Sequence, residues 1–145
     1  PSSIYFSGVE YKLGKDTGKK EVMKTYQYTE SGSINGLNDY VQIFVIQNTP
    51  ETIDYPEEIE NFISTSYKLK SYPSLDGKFG VFNMTSEQRD YFSYMIEKQT
   101  PQAHWFLNYV VQSNFGNNVI NANTARDNAA QHISSLESVF NKVSK

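Results

Sequence analysis

Apolar and polar residues alternate along much of this 145-residue chain, and the alternation predicts strands. Ile4 to Leu13 reads as the first strand. Tyr5, Val9, Tyr11 and Leu13 share one phase, and Ile4 and Phe6 take the other. Gly14-Lys15-Asp16-Thr17-Gly18 is a turn cluster, because its glycines tolerate positive φ. Val22 to Thr29 then returns as a second strand with Val22, Tyr26 and Tyr28 in phase, completing a hairpin. Glu30 to Asp39 is rich in Gly, Ser and Asn and reads as a loop. In Tyr40 to Gln47, Val41, Ile43 and Val45 face one side while Tyr40, Phe44 and Ile46 face the other. Apolar residues on both faces predict a central strand covered on both sides.

The period changes at Pro56. Ile59, Phe62, Ile63, Ser66 and Leu69 recur at helical spacing, which predicts a helix over Pro56 to Lys70. Pro56 suits the first helical position, and Glu57, Glu58 and Glu60 complement the dipole there. Alternation resumes with strands over Lys78 to Met84, Tyr91 to Lys98 and Ala103 to Ser113. Gly116-Asn117-Asn118 predicts a hairpin turn into Val119 to Asn123. Thr124 and Asp127 have the spacing of a capping box, opening a last helix whose apolar stripe is Ala129, Ile133, Leu136, Phe140 and Val143. No internal repeat or long linker divides the chain, so residues 1–145 read as one domain. The expected fold class is α+β: an antiparallel sheet of about six to seven strands packed with two helices, as an αβα or two-layer sandwich.

Composition narrows the function classes. The chain is 38% hydrophobic and 14% aromatic, with 11 Tyr and 9 Phe, which suits pleated, half-buried surfaces. A net charge of −3 argues against nucleic acid as partner. The most apolar run, Tyr40 to Ile46, is too short to cross a membrane as a helix. Cysteine is absent, which excludes disulfides, thiolate nucleophiles and cysteine metal sites. The first residue is Pro rather than Met, and we read the chain as a trimmed form.

Candidate chemistry is sparse. Catalysis by histidine needs a nucleophile or an orienting carboxylate in reach, and neither His104 nor His132 shows such a partner in sequence. No paired-histidine spacing points to zinc. Glu51, Asp54, Glu57, Glu58 and Glu60 read as a solvated, dipole-complementing cluster. Lys12, Lys15, Lys19, Lys20 and Lys24 mark the first hairpin and discourage edge-to-edge pairing. Gly32 to Gly36 lacks the Lys-Ser/Thr of a phosphate loop. No catalytic residue, metal or cofactor is therefore expected. The remaining candidates are aromatic: Tyr26, Tyr28, Tyr91 and Tyr94, with His104, as a partner-binding surface.

The early hairpin with its aromatic strands, the central strand YVQIFVIQN, the helix PEEIENFISTSYKLK, the strands AHWFLNYVVQSNFG and NVINANTA, and the terminal segment RDNAAQHISSLESVFNKV follow one another along the chain. That order resembles the Mog1/PsbP-like fold family, whose bacterial relatives include small envelope proteins. The resemblance implies an accessory or binding role and carries over no catalytic residues. The expected function is thus a non-enzymatic binding or accessory protein of the bacterial envelope, periplasmic or secreted, with a protein partner. The alternatives are an immunity protein against a toxin, in which the acidic stretch Glu51 to Glu60 mimics an anionic substrate, and a small hydrolase with an unrecognised site.

Overall fold

A computed structural model describes residues 2–17, 23–32, 39–50, 70–71, 79–86, 89–112, 114–115, 118–119 and 127–144. They form ten strands: β1 Ser3–Phe6, β2 Val9–Thr17, β3 Met23–Thr29, β4 Asp39–Gln47, β5 Lys70–Ser71, β6 Phe79–Ser86, β7 Arg89–Gln99, β8 Ala103–Gln112, β9 Asn114–Phe115 and β10 Asn118–Val119. One helix follows, α1, spanning Ala129–Val143. The main sheet has eight strands in the order β1-β2-β3-β4-β8-β7-β6-β5, and β9 and β10 pair separately. Every pairing is antiparallel.

This corrects the expected fold class. The protein is mostly antiparallel sheet with one helix among the described residues, not a two-helix sandwich. The helix expected over Pro56 to Lys70 lies outside the described residues except for its last position. Lys70 belongs to β5, where it pairs with Asn83. The strand count rises because the first predicted strand is two strands and because β5 and β9 form where no strand was expected. Ser7 and Gly8 have φ of 52° and 80°, so the chain reverses there between β1 and β2. Positive φ at both central residues matches a type I′ turn, whose twist suits a two-residue hairpin. The cluster at Gly14 is not a turn; β2 runs through it to Thr17, and Gly14 marks a bulge between Leu13 and Lys15. A Cβ at Gly8 would meet nothing within 4 Å, so steric room is not the constraint there. Gly8→Ala is expected to cost about 1 kcal/mol through left-handed backbone strain alone, read as a shift in urea midpoint with unchanged m value.

Other expectations fare better. β4 is central, between β3 and β8, and Val41, Ile43, Val45 and Ile46 are all buried. The segment Tyr91 to Lys98 is strand, within β7, and Ala103 to Ser113 matches β8 nearly end to end. β9 and β10 pair antiparallel, with Asn118 of the predicted turn in β10, while Gly116 and Asn117 lie outside the described residues. The last helix begins later than the capping box implied. Its N-cap is Asn128, which makes no side-chain cap hydrogen bond, and Thr124 lies outside the described residues. Its stripe is Ala129, Ile133, Leu136 and Val139, with Phe140 and Val143 packed partly against the core.

The sheet curls strongly. Phe6 on β1 and Tyr109 on β8 are four strand steps apart in the sheet order. At roughly 4.8 Å per step a flat sheet would separate them by about 19 Å. Their rings are 4.4 Å apart. The first hairpin therefore folds over towards β8, and the sheet forms a curled half-barrel. α1 packs on the concave side against β7, β1 and β8. On the other face Ile46, Phe106 and Val110 are buried together with the polar Asn108 and Ser93, so the sheet centre is covered on both sides. α1 is not long and apolar enough to cross a membrane.

Candidate functional site

The curl brings together side chains far apart in sequence. Asp39 opens β4 opposite Val111 of β8, and Val41 pairs with Tyr109, so Asp39 and Tyr109 are diagonal neighbours on the concave face. Tyr11 arrives on the same face from β2, where it pairs with Ile4. Both phenols donate to one carboxylate oxygen: Tyr11 Oη to Asp39 Oδ2 at 2.7 Å, and Tyr109 Oη to the same atom at 2.8 Å. These are short, charge-assisted bonds that satisfy two hydroxyls in the core.

Aromatic rings close over this knot. The Phe6 ring lies edge-on to Tyr11 and tilted against Tyr109. His132, in the first turns of α1, sits among Phe6, Tyr94 and Tyr109 with centroid distances of 5.9, 4.7 and 4.9 Å. Its Nδ1 is buried and has no hydrogen-bond partner among the described residues. Beside the cluster, Ser7 Oγ and Ser135 Oγ are 2.9 Å apart, tying the turn of the first hairpin to α1.

Burial dominates the electrostatics. It raises the Tyr11 and Tyr109 phenols far above their ordinary value, and the Asp39 charge adds to the effect on both. Burial alone pushes Tyr94 up to about 12. It lowers the proton affinity of His132, and Asp39 opposes this without cancelling it. All three phenols therefore stay neutral near pH 7, and Tyr11 and Tyr109 act as donors.

The residues singled out from sequence do not form one surface. Tyr28 and Tyr94 are buried in the core. Tyr26 is half-buried and packed against it. Tyr91 occupies a β7 position paired with Met84 and Gln112, and its side chain lies outside the described residues. His104 lies on the opposite face of the sheet, at a register position shared with Ile46 and Gln99, with Nε2 3.4 Å from Glu97 Oε1. The two histidines thus belong to opposite faces. Among the described residues no group of three His, Asp or Glu side chains is placed to hold a metal ion.

Two exposed apolar side chains escaped the sequence reading. Tyr5 is 58% exposed and Val9 is 43% exposed, both on the first hairpin. Reading Ile4 to Leu13 as one strand put Tyr5 in phase with Tyr11. The turn at Ser7-Gly8 puts Tyr5 opposite Glu10 and on the other face from Tyr11. The Ser-Gly pair between alternating runs is the signal that could have shown it. Asp39 carried no such signal, since Tyr109 lies 70 residues away.

No family model, no curated protein and no solved structure matches this chain.

Proposed function

We propose that this protein is a non-enzymatic recognition domain that binds an extended, uncharged segment of another protein along the β1 edge. The single observation that carries the reading is that edge itself. β1 is an outer strand of the main sheet, and Ser-Ile-Tyr-Phe contains no charge and no proline. Natural edges are commonly guarded by such residues, because unpaired backbone groups invite strand addition. The opposite edge, β5, is two residues long and includes Lys70. An uncharged segment would join β1 with no like charge to oppose it, and Tyr5 offers apolar area with a polar tip beside it.

The Asp39 network supports the non-enzymatic part. Nucleophilic or base catalysis by His132 would need a hydroxyl or carboxylate bonded to it. Here both hydroxyl protons go to Asp39 instead. The proposed envelope location and the Mog1/PsbP-like kinship rest on element order, and the acidic stretch behind the immunity reading lies outside the described residues.

A photo-crosslinking amino acid placed at Tyr5 and activated in the producing cell tests the proposal. A discrete protein adduct from position 5, with none from the exposed helix position Gln131, is the expected result. Equal labelling from both positions, or none from position 5, would contradict it.

A further inference from the structure

α1 is fastened to the first hairpin at two adjacent points. One is the packing of His132 against Phe6, with ring planes 17° apart, and the other is the contact of Ser7 with Ser135. The first point has a built-in weakness. A neutral imidazole keeps one nitrogen bare, and a bare Nδ1 without a partner is tolerable. An imidazolium carries protons on both nitrogens, so its Nδ1–H would be a buried donor with no acceptor among the described residues.

We propose that His132 is a proton-operated latch, which holds α1 and the β1–β2 hairpin together while its ring is neutral and loosens them when the ring takes up a proton. The device is independent of what the hairpin binds.

Among the described residues, Asp39 is the charged group that acts on the ring. Tyr11 from β2, Tyr94 from β7 and Tyr109 from β8 are neutral phenols, and β1 brings Phe6, which carries no charge. Asp39 from β4 is the charge that attracts the ring, but its Oδ2 already receives two hydroxyl protons. On α1 the first turn has no acidic residue, and Glu137 pairs with Lys98 of β7 at 3.5 Å. Asp127, just before the helix, is exposed. Burial outweighs the pull of Asp39, so the ring resists protonation in the closed state. By linkage, a group held less protonated when closed favours the closed form above its ordinary value near 6.5, and that preference fades as pH falls below it.

Amide hydrogen exchange at about pH 7.5 and about pH 5.5, corrected for intrinsic rates, reads the latch directly. In the wild type, protection of Ser3–Phe6 and of the first half of α1 is expected to fall by up to about tenfold per pH unit below about 6.5, while β8 keeps its protection. His132→Phe should keep the packing and abolish the fall, and His104→Gln, on the opposite face, should leave it intact. A wild type without the fall, a fall shared equally by β8, the same fall in His132→Phe, or its loss in His104→Gln would overturn the proposal. A Ser7→Cys/Ser135→Cys pair gives a second route if the phenylalanine variant does not fold. The chain has no other cysteine. Oxidation should suppress the fall and reduction restore it; a fall indifferent to oxidation would overturn the latch.

Discussion

Asp39→Ala is expected to destabilise the protein by about 2–5 kcal/mol, because it leaves two core phenols with no acceptor at once. Tyr11 and Tyr109 both donate to Asp39 Oδ2, and Tyr109 is 8% exposed, so water cannot readily replace the lost oxygen at both hydroxyls. Asp39→Asn keeps an acceptor oxygen and loses only its charge, so it should cost about 1–2 kcal/mol. Tyr11→Phe in the Asp39→Ala background should recover part of the loss, since one orphaned hydroxyl is then gone. Urea unfolding followed by the fluorescence of Trp105, the single tryptophan, measures all three. Trp105 packs edge-on against Phe140 of α1 and so reports on helix docking. A loss in Asp39→Ala no larger than in Asp39→Asn would show that the shared carboxylate is not what satisfies the phenols.

Alkali is expected to unfold the protein sharply, because three core phenols resist ionisation in the folded state. Tyr11, Tyr94 and Tyr109 all hold their protons more tightly folded than unfolded. A group whose folded value is raised gives stability that is complete below its unfolded value, here near 10, and that is lost as pH rises above it. Tyr94, raised to about 12, alone withdraws on the order of 3 kcal/mol over that span. Tyr11 and Tyr109 add to the loss over the same range and beyond. Phenolate absorbance should therefore appear for these three only with the loss of near-ultraviolet circular dichroism. A phenol among them that ionises near neutral pH in the folded state would instead mark a catalytic base and undo the non-enzymatic reading.

Local patterns made the long strands legible. β4, β7 and β8 follow alternation that packing then reinforces, because their apolar faces meet the core on one side or both. The stripe of α1 was legible for the same reason. The start of α1 was not, since Thr124 and Asp127 have capping spacing while Asn128 takes the cap position. The first hairpin was misread because glycines are ambiguous: Gly8 makes a turn and Gly14 a bulge within a continuing strand. That one error moved Tyr5 to the wrong face and hid β1 as a separate outer strand. The Asp39 knot was invisible for a different reason. It depends on a curl that brings β1 over β8, and sheet curvature has no short-range signature in sequence. Tyr28 and Tyr94 were singled out as surface candidates because tyrosine suits both cores and interfaces, and composition does not decide between them.

The most direct test of edge recognition places the photo-crosslinking residue at Val9 and compares the wild-type edge with Tyr5→Lys. Val9 lies beside the edge rather than on it, paired with Phe6. An adduct that forms at position 9 with Tyr5 present and disappears with Tyr5→Lys, while the unfolding midpoint stays put, is the expected result, because a lysine on an edge strand opposes strand addition. An adduct of equal yield in both proteins would place the partner elsewhere and contradict recognition through β1.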